Sequence, residues 1–106
     1  MRQDPQTSAV LSVVKQFCRL EQEKGLRFET RLFGSWAYGA PGQDSDIDLA
    51  IIIDGDCDID LEQRIWDDAR SVDRRIETHV FSREAYHKAR RALVYDIKEK
   101  GIEIRP

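Results

Sequence analysis

Two segments decide how this chain reads: Leu32-Phe33-Gly34-Ser35-Trp36-Ala37-Tyr38-Gly39 and, with ten residues between Ser35 and Asp46, Asp46-Ile47-Asp48-Leu49-Ala50-Ile51. The first closes a strand over Arg27 to Phe33, with Phe28, Thr30 and Leu32 on one parity. Gly34 lets the backbone turn and approach a ligand closely. Ser35 opens a short helical turn reaching Tyr38, where a hydroxyl and nearby amides can grip a phosphate. The second segment begins a strand over Asp46 to Ile53. Two-residue alternation puts Asp46 and Asp48 on one face and Ile47 and Leu49 on the other. Two carboxylates on one strand face can share a hard divalent cation such as magnesium. The second half of that strand is apolar on both faces, which predicts a central strand covered on both sides.

Working outward, Asp4-Pro5 can start a helix. Val10, Val13, Val14, Phe17 and Leu20 recur along it at helical spacing, and Gly25 stops it. Beyond Ile53, Asp54-Gly55-Asp56 turns the chain. Asp58 or Asp60 caps a helix with Leu61, Ile65, Ala69 and Val72 on one stripe. A third strand, Arg75 to Phe81, places Arg75, Glu77, His79 and Phe81 on one face, with Ile76, Thr78 and Val80 toward the core. Ser82 caps a last helix with Ala85, Ala89, Leu93 and Ile97 as its apolar stripe, ended by Gly101. Ile102 to Ile104 is a short final strand. The order predicts an α/β (α+β) domain, 1–106, with a small mixed β-sheet flanked by helices. If the third strand lies beside the second, Glu77 joins Asp46 and Asp48. Three carboxylates can then hold two metal ions, an arrangement used for in-line displacement at phosphorus.

Composition excludes several classes. The chain has 106 residues, 41% hydrophobic and 35% charged, so it can build a core. Its 17 Lys and Arg against 20 Asp and Glu give a net charge of -3, which argues against a DNA-binding module. Cys18 and Cys57 form no CxxC pair, against a thiolate zinc site or a disulfide framework and in favour of a reducing compartment. Met1 to Ser8 lacks the apolar stretch of a signal peptide, and the longest apolar run, Leu49 to Ile53, is too short to span a bilayer. A cytoplasmic protein without membrane contact is expected. Asp-x-Asp-x-Asp occurs at Asp44 to Asp48 and at Asp54 to Asp58. A calcium loop needs Gly at its sixth position, where these runs have Leu49 and Ile59. Asp54 to Asp60 therefore read as turn and capping residues. The arginines from Arg64 to Arg91 read as a solvated mixed-charge face. His79 reads as a partly buried histidine with a satisfied hydrogen bond, the other reading being a substrate or metal contact.

Gly-Ser, ten residues and Asp-x-Asp, together with Ile76-Glu77-Thr78-His79-Val80-Phe81-Ser82 and Lys100-Gly101-Ile102-Glu103-Ile104, resemble the DNA polymerase beta-like nucleotidyltransferase superfamily. Within it the chain is similar to the minimal nucleotidyltransferases often encoded beside HEPN-domain proteins. The resemblance implies the nucleotidyltransferase fold, with Asp46, Asp48 and Glu77 catalytic and holding two Mg2+ ions. It implies Gly34, Ser35 and Ser45 as nucleotide-binding residues, with ATP as substrate. The implied reaction is attack of an acceptor hydroxyl on the α-phosphorus, releasing pyrophosphate and moving AMP. The implied partner is a HEPN-domain toxin, whose tyrosine would be modified by this chain as antitoxin. A chain of this size leaves the acceptor half of the site to a separate protein or a second copy.

Two positions keep an alternative open. Many relatives carry Arg where this chain has Tyr38, and Glu77 stands where Asp is commoner. Both feed the reading of a catalytically weak nucleotidyltransferase-like module that neutralises a HEPN toxin by binding alone. Transfer to a small molecule or an RNA end is a third alternative.

Overall fold

In a computed structural model, residues 4–105 are described. Met1–Gln3, part of the segment read above against a signal peptide, and Pro106 lie outside the described residues. The elements run α1 (Pro5–Glu23), β1 (Phe28–Phe33), α2 (Ser35–Tyr38), β2 (Ile47–Ile53), α3 (Ile59–Val72), β3 (Ile76–Ser82), α4 (Arg83–Lys88), α5 (Ala92–Lys100) and β4 (Ile102–Ile104). No helix among the described residues is long and apolar enough to cross a membrane.

Local chemistry sets most boundaries. The Asp4 carboxylate accepts from the Thr7 amide at 2.8 Å at the start of α1, and Pro5 fills its first turn. Asp58, rather than Asp60, caps α3 by accepting from Leu61 N at 2.8 Å. Ser82 Oγ accepts from Ala85 N at 3.1 Å and starts α4.

The four strands form one mixed sheet in the order β3-β2-β1-β4. β1 pairs antiparallel with β2 and with β4, while β2 and β3 run parallel and are joined by α3. The expected mixed sheet flanked by helices is what forms. On one face Ile47, Leu49, Ile51 and Ile53 of β2, Leu32 of β1 and Ile76 of β3 pack against Val10, Val14 and Phe17 of α1, Ile65 and Ala69 of α3, and Trp36 and Ala37 of α2. On the other face Phe33, Ala50 and Ile52 meet Tyr86, Val94 and Ile97 of α4 and α5. All seven residues of β2 are fully or partly buried, as its apolar second half predicts.

The single C-terminal helix predicted from Ser82 to Gly101 is instead two. Ala89 and Arg91 have extended backbone (ψ 141° and 142°) and separate α4 from α5. No Gly or Pro marks the break. Tyr86, which packs on Phe81 with ring centroids 5.6 Å apart, and Val94 and Ile97 all belong to the second core layer, which is thus filled from two short helices where the helical pattern is compatible with one. Ala85, assigned to the apolar stripe, is exposed, and Tyr86 takes the buried position.

Candidate active site

The sheet register builds the candidate site. Asp48 of β2 lies opposite Glu77 of the parallel neighbour β3 and opposite Phe33 of β1. Alternation then sets Asp48, Glu77 and His79 on one face, the face that carries Ala50, Ile52 and Phe81 further along. The apolar residues of that face are roofed by α4 and α5, whereas Asp48, Glu77 and His79 stay only partly buried.

One oxygen each from Asp48 and Glu77 and a ring nitrogen of His79 lie within 4.8 Å of one another. Asp46, just ahead of β2, is exposed and adds its charge: burial first, then Asp46 and Asp48, push the Glu77 carboxyl above its ordinary value. Carboxylates that repel one another in water-accessible positions are a donor set suited to a divalent cation. The residues therefore fit the metal that the sequence implies.

Gly34 brings the chain turn against this cluster. Its backbone (φ 75°, ψ -154°) lies where only glycine sits without strain, and a Cβ built there would overlap the Asp48 carboxylate. α2 follows at once: the amides of Ala37 and Tyr38 donate to Gly34 O at 3.1 Å, and no side chain caps the turn. Ser35 is exposed beside it.

A family model described as Polymerase beta, Nucleotidyltransferase matches residues 20–105. The chain belongs to this nucleotidyltransferase family. The crystal structure of a protein from Sulfolobus solfataricus, described as a candidate nucleotidyltransferase, superposes with a TM-score of 0.65. That match has 16% identity and covers 92% of this chain and 81% of the other, a likeness of fold. Comparison with curated proteins gives no significant match.

In this nucleotidyltransferase fold the remaining sequence candidates separate. Ser45, expected at the nucleotide, holds the loop before β2: its Oγ accepts from Gly42 N at 2.8 Å and its carbonyl accepts from Trp36 Nε1 at 3.1 Å. Arg75 does not pair with Glu77. It is held by Asp73 at 2.8 Å and donates to Gln43 O at 2.9 Å. The arginine face is largely matched, with Arg64 on Glu21, Arg83 on Asp54, and Arg70 over the Trp66 ring.

His79 carries more than the sequence reading gave it. Its Nε2 lies 3.7 Å from Asp48 Oδ1, is shut off from solvent and has no hydrogen-bond partner. The satisfied bond expected of it is missing at this atom. The available signal was its parity with Glu77, two positions away on β3.

Proposed function

We propose that the chain is a magnesium-dependent nucleotidyltransferase that moves AMP from ATP to a hydroxyl of a partner protein, a HEPN-domain toxin for which it serves as cytoplasmic antitoxin. The observation carrying the reaction class is the in-register meeting of Asp48 and Glu77 beside the Gly34 turn. The acceptor, the nucleotide and the partner rest on the resemblance of the sequence motifs.

Asp46, Asp48 and Glu77 would hold the metal, which would neutralise triphosphate charge and polarise the phosphoryl group. By the resemblance of the Gly-Ser motif, Gly34 and Ser35 receive the β- and γ-phosphates, and the absence of a side chain at Gly34 leaves room for the Asp48 carboxylate. The acceptor oxygen forms a bond to the α-phosphorus as the bond from that phosphorus to the pyrophosphate oxygen breaks. Glu77 takes the hydroxyl proton. Pyrophosphate leaves. The contribution of the fold is positioning and charge placement.

A second reading, neutralisation by contact alone, is favoured by Tyr38. It stands exposed on α2 with Lys100 Nζ 5.7 Å from its ring centroid, presenting an aromatic contact surface next to the turn. One experiment separates the two. Incubation with α-labelled ATP, Mg2+ and the protein encoded by the neighbouring gene should label that partner. Asp46→Ala with Asp48→Ala should reduce labelling by at least about a thousandfold. Equal labelling by wild type and double variant overturns the enzymatic reading, and full neutralisation in cells by the double variant establishes binding.

A further inference from the structure

We propose that His79 is a nitrogen ligand of this metal site, so that the site prefers a first-row transition cation to Mg2+. The proposal rests on the metal-dependent reading above and adds to the three carboxylates a donor of a different chemical kind.

Three observations carry it. First, His79 shares the sheet face of Asp48 and Glu77, and its ring nitrogen is within 4.8 Å of an oxygen from each. Second, Nε2 is a solvent-excluded polar atom with no hydrogen-bond partner. Leaving such an atom unsatisfied costs on the order of 1–3 kcal/mol, which a cation bound at that atom would offset. Third, the spacing is too long for a charged hydrogen bond and only slightly wider than two donors on one ion. An imidazolium donating to a carboxylate closes to about 2.7–2.9 Å, whereas Nε2 stands 3.7 Å from Asp48 Oδ1. Two adjacent donors bound to one cation at about 2.1 Å each lie roughly 3.0–3.4 Å apart, a small adjustment from that separation. The ring is held for the role by Phe33, which meets it edge-on at 5.2 Å and 63°.

Donor chemistry then fixes the preference. Magnesium takes oxygen donors and is reluctant to shed water for nitrogen. Imidazole binds first-row transition cations well, and a set of carboxylates with one imidazole suits an ion that accepts both. His79 also sits two residues beyond Glu77 on the same strand, so the strand that supplies the third carboxylate also sets the metal preference.

Mn2+ is the probe for the test, because its paramagnetism reports bound nitrogen directly. The chain has two histidines, His79 and His87, and His87 is exposed on α4. Pulsed electron paramagnetic resonance of the Mn2+-loaded full chain should show imidazole nitrogen modulation in wild type and in His87→Asn, and none in His79→Gln. Calorimetric titration should show Mn2+ binding at least about tenfold tighter than Mg2+. His79→Gln should lose at least about tenfold in Mn2+ affinity, since even outer partners of a ligand are worth about 10–100-fold. Its Mg2+ affinity should change far less. The wild-type and His87→Asn spectra decide the ligand question even if His79→Gln folds poorly. Mn2+ bound without nitrogen modulation, in a manner abolished by Asp48→Asn, overturns the His79 ligand and leaves the carboxylate site standing. Modulation that survives in His79→Gln overturns it as well. Failure of both Mn2+ and Mg2+ to bind overturns the metal-dependent reading beneath it.

Discussion

Two carboxylate clusters stand on opposite faces of the sheet, and they are balanced differently. Between α1 and α3, Glu21 is fully buried, yet Arg64 Nη2 lies 3.2 Å from it, and Lys24 Nζ holds the adjoining Asp68 at 2.9 Å. On the other face Asp46, Asp48 and Glu77 meet with His79 as the neighbouring base, 3.7 Å from Asp48 and cationic only when protonated. The first cluster carries its own cations and serves the fold. The second gathers negative charge on exposed and partly buried positions without matching lysine or arginine contacts among the described residues, and so offers a place for a cation from solution. Acidic residues that hold a structure together and acidic residues that wait for a ligand are thus told apart by their neighbours and not by their number.

That contrast can be broken at its weakest point first. Gly34→Ala forces a methyl group toward the Asp48 carboxylate and puts a side chain in a glycine-only conformation. It should cost up to about 3 kcal/mol in urea unfolding and also weaken divalent binding. An unchanged midpoint and unchanged metal affinity would mean that the turn does not abut the site. Next, a divalent cation at a hundred times its Kd should stabilise the wild type by about 2.7 kcal/mol. It should leave Asp46→Ala with Asp48→Ala unaffected, and equal shifts in both would place the ion elsewhere.

The buried cluster responds to pH in a defined sense. Burial, and then the neighbouring Asp68, push Glu21 from 4.5 up to about 7. A carboxyl whose folded value exceeds its unfolded one contributes stability that is complete below 4.5 and is lost as pH rises through about 7. Asp68 works the other way at lower pH: burial raises it, but Lys24 and Arg64 outweigh burial and hold it below 3.8. Because Glu21 shares its proton equilibrium with Asp68, whose carboxyl is held low, the loss between pH 5 and 8 should be about 2 kcal/mol. Glu21→Gln should flatten it in thermal melts across that range, and a flat wild-type profile would show that Glu21 is ionised throughout. The smallest effect belongs to Lys24→Met. Its exposed ion pair with Asp68 should be worth no more than about 1 kcal/mol, and a larger loss would make the cluster a cooperative network.

The site was legible where it follows from alternation. Asp46 and Asp48 before an apolar strand, and Glu77 on the right parity of a later one, needed only the parallel pairing of β2 and β3 to converge. What was not legible depends on residues distant in sequence. Glu21 looks like one more polar residue near the end of α1, because Arg64 and Asp68, which surround it, belong to α3. The break between α4 and α5 has no Gly or Pro to announce it, and it falls within a pattern compatible with one continuous helix. His79 was placed on the correct face, but only the three-dimensional arrangement shows that its Nε2 lacks a partner.

The parallel pairing of β2 and β3 gives the site a schedule as well as a shape. Asp48 takes up its position once β1 and β2 pair, with Phe33 opposite it. Glu77 and His79 arrive only after the chain has passed through α3 and returned alongside β2, a non-local pairing of the slower kind. The donors are therefore assembled in two instalments separated by a helix. A cation that needs donors from both strands binds tightly only where that crossover is complete, so occupancy reads the pairing of β2 with β3 and not that of β1 with β4.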